Sequence, residues 1–173
     1  MIISNSSPLI LLAKINRLDL MKKLYKKIYI PMGVYKEVVV KGKEEGYGDA
    51  FLIENHVGEF IFIEKLDPEH MKESEKLNNV LGSGESEAIA LALQKKAETL
   101  IIDNLEPRKT AELKGIKCRS TPGVLLEALK NKVISHKEYK ESIKKLSEFA
   151  WLDGAIVAYF LDQSYKMEYG EKK

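Results

Sequence analysis

Apolar positions fall into short continuous runs separated by longer stretches with helical spacing. "MIIS", "KIYI", "EFIFIE", "TLIID" and "IKCRS" read as strands. "TLIID" is the continuous kind found at the centre of a parallel sheet. The first helix starts at Ser7-Pro8, with proline in the first turn where its missing N–H costs nothing. "LILLAKI" and "LDLMKKL" read as two short helices broken near Asn16. A helix runs through "VYKEVVV", and Gly42, Gly46 and Gly48 mark a loop or a broken helix. Asp67-Pro68 caps the helix "EHMKESEKLNNVL". "SEAIALALQKK" is the most apolar helix, with Ser83 as a candidate cap. From Thr121 on only helices follow, and "MEYGEKK" reads as a frayed tail. Strands alternating with helices predict a parallel sheet covered on both faces.

The sequence has 173 residues, 28 basic and 26 acidic, for a net charge of +2. It is large enough for one core. The balance gives no compositional sign of a nucleic-acid binder. Its Lys- and Glu-rich surface is of the kind expected of a heat-adapted protein. The single cysteine, Cys118, excludes an internal disulfide. Together with the lack of a signal-peptide pattern, it predicts a cytoplasmic protein. No apolar run is long enough to cross a bilayer. The three histidines are too scattered for a zinc site.

Sites in open parallel sheets form beyond the carboxyl ends of the strands. Asn5 ends the first strand and Asp103 ends "TLIID", with Asn104 beside it. Glu37 sits at the border of a buried helix face. Glu87 lies in a helix apolar nearly all round, where a carboxylate needs a partner. Glu85 reads as a first-turn acid complementing the helix dipole. Each has a plain alternative: a solvated helix residue for Glu37, a turn residue for Asn5. As a group they form a candidate site for a hard divalent ion such as Mg²⁺ or Mn²⁺, which takes oxygen ligands. Such an ion polarises a phosphodiester and activates water.

"MIISNSSPLI", "YIPMGVYKEVV", "LGSGESEAIALAL" and "TLIIDN", in that order, resemble the PIN-domain family. The likeness spans roughly residues 1–123 and is closest to a prokaryotic branch near the VapC-type toxins. It implies an α/β/α sandwich with a short central parallel sheet. The PIN-like part would be residues 1–130, with residues 131–173 a helical extension packed on it. It also implies a metal-dependent ribonuclease, with Glu37, Glu87 and Asp103 as catalytic acids. Asn5 would join them as a metal ligand where the family usually has aspartate. Glu85 and Asn104 are alternatives to their neighbours. An amide brings no charge and cannot act as a base, so a degenerate domain that binds RNA or protein without cutting is the rival reading.

Ser6 and Arg108 are the candidate substrate contacts, Ser7 the candidate cap. Tyr35 and Tyr47 are candidates for stacking on unpaired bases. "LGSGES" lacks the Gly-Lys-Ser/Thr ending of a P-loop, and no G-x-S-x-G elbow is present. "AWLDGAIVAYFLDQSY" is either burial against the chain's own sheet or a surface for an antitoxin or a second copy, with Trp151 and Tyr159 as anchors.

Overall fold

The computed structural model describes residues 1–150 and 152–170. Five parallel strands form one sheet: β1 (Ile2–Ser4), β2 (Ile28–Pro31), β3 (Ile61–Glu64), β4 (Thr99–Ile101) and β5 (Cys118–Arg119), in the order β3-β2-β1-β4-β5. The core strands are apolar on both faces: Ile3, Leu100 and Ile101 are fully buried. Covered parallel sheets demand this pattern.

Helices α1 (Ser6–Lys14) and α2 (Asp19–Tyr25) link β1 to β2. Asn16 lies between them in the left-handed region (φ 56°), which sets the break. Between β2 and β3 come α3 (Met32–Tyr35), a π-helical segment (Lys36–Lys41), α4 (Gly42–Glu44) and α5 (Gly48–Glu54). Then follow α6 (Pro68–Leu77), α7 (Ser83–Gln94), α8 (Leu105–Leu113), α9 (Thr121–Lys130), α10 (His136–Ala150) and α11 (Gly154–Tyr169). The chain steps outward from β1 to β3, then returns across β1 to β4. Right-handed crossovers therefore place the helices before and after β3 on opposite faces. This is the expected α/β/α sandwich. Helix α7 crosses the middle of the sheet, touching β1, β2 and β4. Its buried Ala88, Ile89, Ala90 and Leu91 explain why it is apolar nearly all round.

Several boundaries differ from the sequence reading. The first helix begins at Ser6 with Asn5 in the capping position, so Ser7 lies inside its first turn. Gly82, not Ser83, precedes α7. Gly42 continues the helix, and the break falls at Gly46, whose φ is 77°. Helix α11 extends through Tyr169, into the segment read as a frayed tail. Residues 171–173 of that tail, and Trp151, lie outside the described residues.

Helix α10 buries Tyr139, Ile143 and Leu146 in the same core as the sheet, packing on α1 and α9. Tyr139 Oη donates to the Phe160 carbonyl (2.9 Å), which ties α11 to α10.

Candidate active site

The strand order reverses between β1 and β4, and at such a point an open α/β sheet has a crevice. Ser4 pairs with Ile101, and the Asn5 N–H donates to the Ile101 carbonyl (2.9 Å). Asn5 and the Asp103–Asn104 pair thus leave the sheet side by side. A cleft of about 400 Å³ opens there, lined by the start of α1 (residues 5–7), Gly33, Glu37, Lys41, the start of α7 (residues 82–85) and Asn104.

The Asn5 side chain is 2% exposed, and its Oδ1 has no hydrogen-bond partner. An unsatisfied buried amide oxygen costs roughly 1–3 kcal/mol. Ser6 Oγ donates to Glu37 Oε2 (2.7 Å). Gly84 makes room for that carboxylate: a Cβ there would lie 2.5 Å from Glu37 Oε2. Glu85 holds its place by accepting from the Gly82 N–H (3.1 Å) and from Asn104 Nδ2 (2.6 Å). The first turns of α1 and α7 line the same space, and helix N-termini favour anions.

Three residues singled out from the sequence point elsewhere. Glu87 Oε2 accepts from the Gly33 N–H (2.7 Å), and a Cβ on Gly33 would come within 2.6 Å of Glu87. Glu87 therefore secures the start of α3 from behind Gly33, which lines the cleft while Glu87 itself does not. Asp103 Oδ1 accepts from the Thr121 N–H and Oδ2 from Thr121 Oγ1, both at 2.7 Å. It holds the first turn of α9. Burial pushes its carboxyl above the usual range, outweighing the Thr121 hydrogen bonds and the nearby Arg108. Arg108 Nε is paired with Glu112 Oε1 (2.9 Å). Asp103 and Arg108 line a second, wider cleft of about 1040 Å³, walled by α1, α8, α10 and α11 with the start of α9. That cleft meets the acid cleft at Ser7 and Asn104.

The four predicted ligands, Asn5, Glu37, Glu87 and Asp103, are thus not gathered in one cleft. Among the described residues no three His, Cys, Asp or Glu side chains converge to hold a metal. What the cleft offers is an amide oxygen without a partner, the Glu37 and Glu85 carboxylates and the Ser6 hydroxyl. This all-oxygen donor set fits Mg²⁺ or Mn²⁺. Two participants escaped the sequence reading: Gly84, signalled by a small residue inside an acidic helix start, and Lys41, four residues after Glu37.

The parallel sheet, its reversal beside β1 and the acid-lined crevice are those of an α/β/α sandwich with its site at the switch point. The PIN-domain family profile matches residues 1–164, and the chain belongs to that family. PIN domains generally act on nucleic acids and generally bind divalent metals. No curated protein matches the chain.

Proposed function

We propose that this chain is a divalent-metal-dependent ribonuclease that works in the cytoplasm on single-stranded or structured RNA. The observation that carries this is the unpartnered, buried Asn5 Oδ1 at the same crevice as Glu37 and Glu85. Asn5, Glu37 and Glu85 would hold Mg²⁺ or Mn²⁺, while Asp103, bonded to Thr121, lines the neighbouring cleft. The ion would polarise the phosphodiester and lower the pKa of water.

The protein's own groups do the rest. Ser6 fixes the Glu37 carboxylate by its hydrogen bond, leaving Glu37 Oε1 free to accept a proton. Asn104 fixes Glu85. Glu87 orients the helical run carrying Glu37 through the Gly33 N–H. The N-termini of α1 and α7 favour the phosphate over bulk water. Residues 1–130 carry the nuclease body in this reading, and 131–173 form a helical extension docked on it.

The test is cleavage of a mixed single-stranded RNA with Mg²⁺, with Mn²⁺ and with EDTA, using Glu37→Gln as the control for contaminating nuclease. Cutting that needs both metal and Glu37 supports the reading. A folded protein that cuts nothing under either metal removes it.

A second reading is favoured by the wide cleft. Leu105, Ile156 and Tyr159 on its lining are exposed. An apolar surface next to the acid cleft suits a protein partner, either an antitoxin or a second copy of the chain. In that reading the domain acts by binding. The two readings are compatible if the partner controls the nuclease.

A further inference from the structure

Lys41 faces the acid cleft because of the π-helical segment. Val34 and Val38 mark the core face of this helical run and are buried. Lys41 is seven residues from Val34. Seven residues are almost two α-helical turns, so regular α-helix would bring Lys41 back onto the core face. The π-helical turns close between residues five apart and slow the rotation. Gly42 completes the second turn in its place. Gly42 is buried, where a Cβ would meet the Ala50 Cβ at 2.9 Å, while the Lys41 side chain is 69% exposed. Glu37 and Lys41, four residues apart, share a flank as they would in an α-helix, and the one-residue shift turns Lys41 off the core face. Among the described residues, Lys41 makes a single loose ion pair, 3.9 Å to Glu45. By contrast Lys43, two residues on, is held at 2.7 Å by Glu54.

The charge of the lining follows. Asn5 contributes none, Glu37 and Glu85 one negative charge each, and Lys41 one positive. Two carboxylates bind one divalent ion more readily than two. A phosphodiester in the cleft then has an ammonium within the same lining to meet its second non-bridging oxygen. A lysine acts on phosphate as a point charge.

We propose that Lys41 is a phosphate-binding residue of this cleft, placed there by the π-helical turns, and that it supplies positive charge where a second metal ion would otherwise be needed. This rests on the cleft being the site that receives RNA.

The experiment measures binding of a short fluorescent oligouridylate in EDTA, over a series of salt concentrations, for the parent, Lys41→Met and Lys41→Arg. Met keeps the apolar stem, and the exposed position predicts an unchanged Tm. Lys41→Met should weaken binding several-fold and lower the slope of log K against log salt by about 0.7, the loss of one phosphate contact on a single strand. Lys41→Arg should restore both. Equal affinity and slope in parent and Lys41→Met overturn the proposal, as does failure of Arg to rescue. Cutting with Mn²⁺ is scored separately. A parent that binds through Lys41 but never cuts keeps the phosphate site and removes the nuclease reading. A parent that cuts, with Lys41→Met binding and cutting alike, does the reverse. A parent that neither binds nor cuts overturns both.

Discussion

The acid cleft and the wide cleft meet along Ser7 and Asn104, yet their walls are built by different rules. The acid cleft is made from the ends of β1 and β4 and the starts of α1 and α7. Its side chains are fixed by short hydrogen bonds: Ser6 to Glu37, Asn104 to Glu85. The wide cleft is made from the sides of α1, α8, α10 and α11, and its lining is largely aliphatic and aromatic. Tyr159 there is 57% exposed and packs edge-on against Phe160. A rigid polar crevice suits one small charged group held in one place. An open apolar trough suits a large partner whose area matters more than its position. Asp103 stands on the border, committed to Thr121.

That contrast can be broken most sharply at Gly84. A methyl group there displaces the Glu37 carboxylate, and a misplacement near 1 Å costs about 100-fold in rate. Gly84→Ala should lose metal-dependent cutting by about that factor, measured as kcat/KM, while thermal unfolding stays cooperative. Full activity would mean that Glu37 is not needed where it sits.

Restoring the missing charge is the next largest effect. Asn5→Asp should tighten Mn²⁺ about tenfold, worth roughly 1.4 kcal/mol by titration calorimetry. Unchanged binding would remove Asn5 from the site. In the wide cleft, Tyr159→Ser should leave cutting within about twofold and change only association, read as molar mass by light scattering or as partner affinity. A large fall in kcat would merge the two clefts into one functional unit.

The smallest effect concerns Asp103. Burial raises its carboxyl pKa in the folded state. The neutral acid therefore favours folding below the ordinary value of 3.8, and that contribution is lost as pH rises through the raised value. In EDTA at neutral pH, Asp103→Asn should show a higher Tm than the parent, since Asn still accepts from the Thr121 N–H. The difference should vanish below about pH 4. A lower Tm at neutral pH would mean that the hydrogen bonds to the charged form outweigh burial.

The sheet was legible because each core strand is a continuous apolar run and each break carries a residue suited to it, such as Asn16 or Gly115 at positive φ. The site was half legible. Asn5 and Asp103 could be placed at strand ends from the alternation alone. The partners of Glu87 and Asp103 could not, because Gly33 and Thr121 reach them only through tertiary packing. Glu87 drew attention as a carboxylate in an apolar helix, and its need for a partner is met by a backbone N–H. Glu85 read as a dipole acid, and it does reach back to Gly82, but it also lines the cleft. Lys41 was hidden because "VVV" disguises a one-residue change of helical register.

The central strand has a consequence for the chain during its synthesis. β1 is made first, yet one of its two neighbours is β4, with Ile2 beside Thr99. Closing so long a loop is slow, as for any fold dominated by distant pairings. A ribosome adds residues at roughly 5–20 per second. For several seconds a nascent chain carries Asn5, Ser6 and Glu37 without the wall that Asn104 completes. In the proposed function the cell is therefore exposed to a working nuclease only after most of the polypeptide has left the ribosome, and a truncated product ending before β4 would be inert.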